Sequence, residues 1–292
     1  MMPESLFDQG VFDVFNLKDH IALVTGASRG VGKGVALGLG EAGATVYVTG
    51  RTVDAGTGPM GLPGTIHETA DEINTLGGTG IAVQCDHTDD RQVEAVFEQI
   101  DREQGKIDLL VNNAWGGYEN MFEHNEFTWP HPFWMQPLWR WDAMFQAGVR
   151  AQYVASVLAS KRMVGQNKGL IANLSFWAAQ KRIGNVAYSV AKAATDRMTF
   201  FMAEELRESH VAVISVYPGL VRTENVMRAA AFLDLSNSES PQFIGRAIAA
   251  LASDPEVMKR TGTICIAAWV AQEYGFNDID GKTPRPLSIA DV

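Results

Sequence analysis

Tyr188 and Lys192 stand four residues apart, in Tyr188-Ser189-Val190-Ala191-Lys192, and Ser175 precedes the tyrosine by thirteen positions. Residues at the four-residue spacing share one helix face, so the phenol and the ammonium can point at one ligand. A tyrosine exchanges protons near neutral pH only if its pKa of about 10 is lowered, and a lysine beside it does so by favouring the phenolate. The lysine can also hydrogen-bond a ribose. A Tyr-x-x-x-Lys alone is common and ordinarily marks an exposed polar face. The weight of this one comes from the serine before it and from a glycine-rich turn far upstream, so Ser175, Tyr188 and Lys192 are the candidate catalytic residues.

The turn reads Thr25-Gly26-Ala27-Ser28-Arg29-Gly30-Val31-Gly32, between a β-branched run and a helical pattern. In that context the backbone N–H groups of a helix start can cradle a pyrophosphate. The commoner Gly-x-Gly-x-x-Gly frame needs glycine where Val35 stands, and a Walker loop needs a hydroxyl where Gly34 follows Lys33. The second β run ends Val48-Thr49-Gly50-Arg51-Thr52, without the acid that commonly binds the ribose 2′-hydroxyl of NAD. Arg51 and Thr52, with Arg29, suit a 2′-phosphate instead, because guanidinium forks match phosphate geometry. The alternative is that both arginines are ordinary solvated charges. NADP(H) is the preferred cofactor on this reading and NAD(H) the second choice.

Elements able to hold these residues alternate along the chain. Strand runs fall at Ile21–Thr25, Thr45–Thr49, Ile81–Gln84, Leu109–Asn112, Leu170–Leu174, Val211–Tyr217 and Thr263–Ala267, with helical periodicity near 30–42, 64–77, 89–104, 141–164, 187–209 and 240–253. Runs apolar on both faces predict an α/β fold, a Rossmann-type doubly wound parallel sheet of about seven strands with helices on both faces. Its ligand should lie at the carboxyl ends of the strands. Residues 1–292 read as one domain, with a tail from about 270. Residues 115–141 break the rhythm with Trp115, Trp129, Trp134, Trp139 and Trp141 among prolines, and a connection of that length usually forms a lid or binding loop. Its tryptophans, with Phe122, Phe127 and Phe133, predict a pocket for bulky apolar substrates, the rival reading being that the rings pack the loop onto the body or onto a partner subunit.

Composition narrows the partners. The 292 residues are 46% hydrophobic, enough for a sizeable core, and 24 Lys+Arg against 34 Asp+Glu leave a net charge of −10 that disfavours nucleic acid. Cys85 and Cys265 lack paired spacing and read as core residues of a reducing compartment. His20, His67, His87, His124, His131 and His210 are scattered, so no metal is expected, and no Gly-x-Ser-x-Gly elbow appears. The start, Met1 to Phe15, carries acids rather than the basic opening of a secretion signal, and no run reaches the ~20 apolar residues of a membrane span. These features predict a cytoplasmic protein.

Taken together, Thr25 to Gly32, Asn112-Asn113-Ala114, Ser175, Tyr188 with Lys192, and Pro218-Gly219 with Thr223 resemble the short-chain dehydrogenase/reductase family, in order and spacing, from residue 20 to about 270. Within it the stretch Ala44 to Arg51 and the tail Tyr274 to Gly281 resemble the group that includes dehydrogenase/reductase member 1. The resemblance implies a nicotinamide-dependent oxidoreductase acting on carbonyls or alcohols, with Tyr188 as acid/base, Ser175 bonding the substrate oxygen and Lys192 anchoring the ribose. It also implies a homodimer or homotetramer. By position it places Gly26, Ser28, Arg29, Gly30, Val31 and Gly32 on the cofactor, Asp86 and His87 at the adenine, Asn113 and Ala114 along the dinucleotide, and Pro218, Gly219, Val221 and Thr223 at the nicotinamide. Asn112 ties strands together. Trp115, Ser175 and Trp177 form the expected substrate pocket. Two positions depart from the family pattern: Trp115 replaces a glycine after Asn-Asn-Ala, and Gly148 replaces an asparagine that positions the lysine-bound water of a proton relay. Gly148 motivates the alternative of a cofactor-binding regulatory or structural protein with little turnover.

Overall fold

The computed structural model describes residues 15–292 except Asn120, His124 and Asn125, and leaves out the side chains of Phe122 and Glu123. The expectations placed on Met1 to Val14, on His124 and on the Phe122 ring lie outside the described residues.

Short runs such as Ile-Ala-Leu-Val and Val-Ala-Val-Ile-Ser-Val-Tyr are buried at every position, which requires cover on both faces. They form the strands β1 (Ile21–Val24), β2 (Thr45–Gly50), β3 (Thr79–Gln84), β4 (Leu109–Asn112), β5 (Gly169–Leu174), β6 (Val211–Tyr217) and β7 (Ile264–Ile266). All pair in parallel, in the order β7-β6-β5-β4-β1-β2-β3. The order reverses at β1, so a crevice opens beyond the carboxyl ends of β1 and β4, where open α/β sheets bind ligands.

The connecting helices are α1 (Gly30–Glu41), α2 (Ile66–Thr75), α3 (Asp90–Gln104), α4 (Leu138–Ala143), α5 (Ala151–Gln166), α6 (Val186–Leu206), α7 (Glu224–Arg228), α8 (Pro241–Ser253) and α9 (Ala267–Tyr274). One sheet face packs on α1, α2, α8 and α9 through residues such as Val35, Ile66, Phe243 and Val270. The other packs on α3, α5 and α6 through Phe97, Ala155 and Ala203. Helix α1 is rich in glycine, which weakens a helix by itself. Close packing explains it: a Cβ on Gly34 or Gly38 would lie 2.1 and 2.5 Å from the α8 backbone at Pro241 and Gly245.

The expected helix over 141–164 begins at Leu138 and is interrupted by a π-helical stretch, Met144–Arg150, that contains Gly148. Helix α9 was not visible in the sequence pattern because it starts with no linker after β7. The tail beyond it is anchored. Phe276 packs on Phe243 with ring centroids 5.4 Å apart, and buried Asp278 accepts from the Ser240 amide (2.7 Å) and from Arg222 (3.0 Å). Arg222 lies between Val221 and Thr223, so the tail braces the loop after β6. Among the described residues no helix is long and apolar enough to cross a membrane.

Candidate active site

A cleft of about 540 Å³ opens at the carboxyl ends of the strands. At its base the chain leaves β1 through Gly26 and enters α1 at Gly30, both with φ near +60°, a region that glycine adopts without strain. A Cβ on Gly26 would sit 2.9 Å from Ala114, and one on Gly32 would sit 2.3 Å from the Asn113 amide nitrogen. The turn is thus pressed onto the end of β4, where Asn113 donates to the carbonyls of Thr25 and Gly26 at 2.9 Å. Asn112 bridges strands, donating to Asn173 and to Ser156. The Gly30 amide donates to both carboxylate oxygens of Glu224, at 3.2 and 3.0 Å, so the start of α1 does hold an anionic group.

Toward the far end the cleft is walled by Arg29, Arg51, Thr52, Asp86 and His87. Arg29 donates to the Pro63 and Gly64 carbonyls at 3.0 and 2.7 Å, pinning the loop after β2 against the turn. Burial lowers its pKa first, and the charge of nearby Arg51 lowers it further, so the two guanidinium groups repel each other. Arg51 has one loose ion pair, to Glu119 at 3.5 Å. His87 is buried on Thr49 (2.8 Å), and desolvation pushes its pKa down to about 4, so the ring is neutral. Ser28, Val31, Ala114, Gly219, Val221 and Thr223 also line the cleft. Lys192 and Pro218 do not stand among its lining residues.

Helix α6 presents Tyr188 because Asn185 caps it, accepting the Tyr188 amide at 3.0 Å. The phenol ring enters an aromatic cage with centroids 5.7 Å from Trp115, 5.4 Å from Trp129 and 6.1 Å from Tyr118. Lys192, one turn on, is 7% exposed. Its Nζ donates to the Leu174 carbonyl (3.1 Å) and lies over the Trp115 ring, 3.9 Å from the centroid. Desolvation pushes the Lys192 pKa down to about 7 and the Tyr188 pKa up to about 12. This corrects the expectation that the lysine lowers the phenol's pKa. Burial acts on both groups, and the lysine faces a carbonyl and an indole, with its Nζ 5.9 Å from the Tyr188 ring centroid.

Two further expectations change. Ser175 is buried, and its hydroxyl donates to the Lys192 carbonyl (3.3 Å), inward rather than into the cleft. Trp177 packs edge-on against Tyr217 (5.2 Å) and lies outside the main cleft, where Phe176 takes the wall position instead. Of the tryptophans in 115–141, Trp115 and Trp129 line the cleft. Trp134 is 73% exposed, Trp141 stacks on Phe145 at 4.3 Å, and Trp139 packs against buried Arg140. Phe127 and Phe133 are exposed. Tyr118 and Glu224 are site residues that the motifs did not single out.

The departures at Trp115 and Gly148 are one feature. A Cβ on Gly148 would lie 2.7 Å from Cζ3 of the indole, so Trp115 fills the space that a side chain at 148 would need. Gly148→Ala should therefore cost about 1–3 kcal/mol by overpacking. Part of that cost should vanish when Trp115→Leu is also present. Thermal unfolding of the two single variants and the double variant checks this, and strictly additive losses would show that the two positions do not share space.

The short chain dehydrogenase family model matches residues 20–233. Dehydrogenase/reductase SDR family member 1 of Mus musculus is 39% identical over 280 residues, covering 91% of this chain and 85% of its own. The Homo sapiens protein of that name is 35% identical over 291 residues, covering 94% and 88%. Among solved structures, a short-chain type dehydrogenase/reductase from Mycobacterium marinum matches with TM-score 0.72 at 29% identity, over 87% of this chain and 96% of that one. A 7α-hydroxysteroid dehydrogenase complexed with NADH and 7-oxo glycochenodeoxycholic acid matches with TM-score 0.70 at 26% identity, over 87% and 94%. With the glycine turn, the parallel sheet and the Tyr188/Lys192 helix in the family order, this chain belongs to the short-chain dehydrogenase/reductase family of oxidoreductases.

Proposed function

We propose that the protein is an NADP(H)-dependent oxidoreductase that interconverts bulky apolar carbonyls and alcohols, with Tyr188 as its acid/base. The observation that carries this reading is the single cleft that joins the glycine turn and two arginines at one end to Tyr188 in an aromatic cage at the other. The whole chain acts as one dinucleotide-binding and catalytic domain.

The residues present fit a dinucleotide. Gly26 and Gly32 let the turn press onto the end of β4, and the Gly30 amide at the start of α1 already holds a carboxylate. The turn and the start of α1 would take the pyrophosphate, Arg29 and Arg51 the 2′-phosphate, Asp86 and His87 the adenine side, and Val221 and Thr223 the nicotinamide side. When bound, the nicotinamide gives or takes hydride. Tyr188 supplies the proton to the substrate oxygen in reduction and removes it in oxidation. Ser175 works from behind, holding the α6 turn that carries Lys192. Lys192 supports the Trp115 indole against which Tyr188 rests.

Trp115, Trp129, Met121 and Phe176 give the substrate end an apolar wall, which favours large hydrophobic carbonyls over sugars. Tyr153 on α5 and Phe200 and Phe201 on α6 are half-exposed and support pairing into a homodimer or homotetramer.

Binding titrations of NADPH and NADH, run beside a turnover screen of aryl and alkyl ketones, test the proposal. Two guanidinium groups on a phosphate should favour NADPH by about 1.5–3 kcal/mol, roughly ten- to a hundredfold. Arg51→Asp should move the preference toward NADH. Equal affinities for the two cofactors refute the NADP(H) assignment, and tight binding with no turnover on any ketone supports the non-enzymatic alternative.

A further inference from the structure

We propose that Trp129 decides which carbonyls reach Tyr188, and that buried Arg140 is the positioning residue that holds the indole in place. The substrate class is then narrower than bulky and apolar. Aldehydes and methyl ketones, with bulk on one side of the carbonyl only, react, and ketones flanked by bulk on both sides are excluded. The inference rests on the reading of Tyr188 as the acid/base.

Space at the phenol is scarce. Tyr188 is 7% exposed, and four rings stand around its own, with centroids at 5.4 Å for Trp129, 5.7 Å for Trp115, 6.1 Å for Tyr118 and 6.4 Å for Phe176. A substrate oxygen must come within about 3 Å of the phenol oxygen to take its proton. Both substituents of the carbonyl carbon travel in with that oxygen, so bulk on the Trp129 side meets the indole. Trp129 is the nearest of the four rings and lines the cleft beside Tyr188.

The entrance to α6 is shaped to receive that indole. Gly184 has φ +74°, and a Cβ on it would lie 3.2 Å from Trp129 Nε1 and 3.3 Å from Tyr188 Cδ1, so a side chain there would push the two rings apart. Asn185 ties the two backbones together. Its side chain donates to the Trp129 carbonyl (3.3 Å) and accepts the Tyr188 amide (3.0 Å).

Arg140 braces the loop from behind. It sits on α4 and is fully buried, a costly place for a guanidinium unless its donors are used. It donates to the Thr128 carbonyl (3.3 Å), to the Thr128 hydroxyl (2.9 Å) and to the Gln136 side-chain oxygen, and its central carbon lies 5.7 Å from the Trp129 ring centroid. Gln136 in turn donates to the carbonyls of Thr128, Trp129 and His131 at 3.1, 3.2 and 2.7 Å. The backbone on both sides of the indole is therefore held from α4. A planar fork fixes direction as well as distance, which an apolar contact does not.

The test uses the full chain with NADPH and compares kcat/KM for benzaldehyde, acetophenone and benzophenone. The parent should favour either of the first two over benzophenone by about 100-fold, on the scale at which a pocket's shape discriminates. Trp129→Ala should cut that ratio at least about tenfold. Arg140→Met should cut it as well, and Arg140→Lys, which keeps a donor for Thr128, should restore part of it. If Arg140→Met does not fold, Gln136→Leu removes the other half of the brace and should lower the ratio in the same way. NADPH affinity, read by titration, should be the same in every variant. A parent that reduces benzophenone as well as acetophenone overturns the inference, as does a ratio that survives Trp129→Ala or loss of the brace, or a change confined to NADPH affinity. A parent that reduces none of the three carbonyls, or a Tyr188→Phe protein with near-normal turnover, overturns the underlying reading instead.

Discussion

A Tyr188→Phe protein should lose turnover by about 10²–10⁴ and still bind the dinucleotide nearly as well as the parent. Phenylalanine preserves the contacts with Trp115 and Trp129, so the cage and the entrance to α6 stay in place. What leaves is a proton. Burial pushes the Tyr188 pKa up to about 12, so near neutrality the group is a phenol ready to donate in carbonyl reduction. In alcohol oxidation the same group must first lose its proton, and oxidation should therefore accelerate with rising pH across the neutral and mildly alkaline range. Steady-state kinetics in both directions, with a NADPH titration, check this. A variant that keeps its rate places the acid elsewhere.

The scaffold was legible because its strands are buried on both faces. Such runs must be uniformly apolar, and the seven expected segments match the observed strands to within about two residues. The glycine turn was legible for a related reason. Contacts at Gly26 and Gly32 exclude any side chain, so a packing constraint appears directly as a residue type.

Side-chain direction at the strand ends was not legible. Residues 175–177 leave β5 in extended backbone and a short turn, where neighbouring side chains point to opposite sides. Phe176 faces the cleft, while Ser175 and Trp177 face the Lys192 carbonyl and Tyr217. The partners that decide this lie at least seventeen residues along the chain, and no local pattern carries them. Glu224 reaches Gly30 across 194 residues in the same way. Tyr118 was hidden differently, because a tyrosine among eight other aromatic residues in one loop reads as part of an apolar surface.

The second large effect expected is a protein that becomes more stable as it becomes less active. Lys192 is buried, and desolvation holds its pKa near 7, against 10.5 for a free lysine. Between those values the unfolded chain binds more protons than the folded one, so stability rises with pH through that window. Below about pH 7 the whole cost of charging a buried ammonium falls on the folded state. Lys192→Met removes that cost and keeps a flexible apolar stem on the Trp115 ring. At pH 6.5, without dinucleotide, the variant should unfold at a higher temperature, by about 2–4 °C for each kcal/mol relieved. That advantage should shrink as the pH is raised toward 10. At pH 6.5, where the lysine is charged, turnover should fall by about 10² or more, since Tyr188 loses the cation behind the indole on which it rests. Unfolding curves at pH 6.5 and 9, with kcat at each pH, provide the check. If Lys192→Met is less stable at both, the bond to Leu174 and the contact with Trp115 outweigh the cost of burial, and the lysine belongs to the framework as much as to the chemistry.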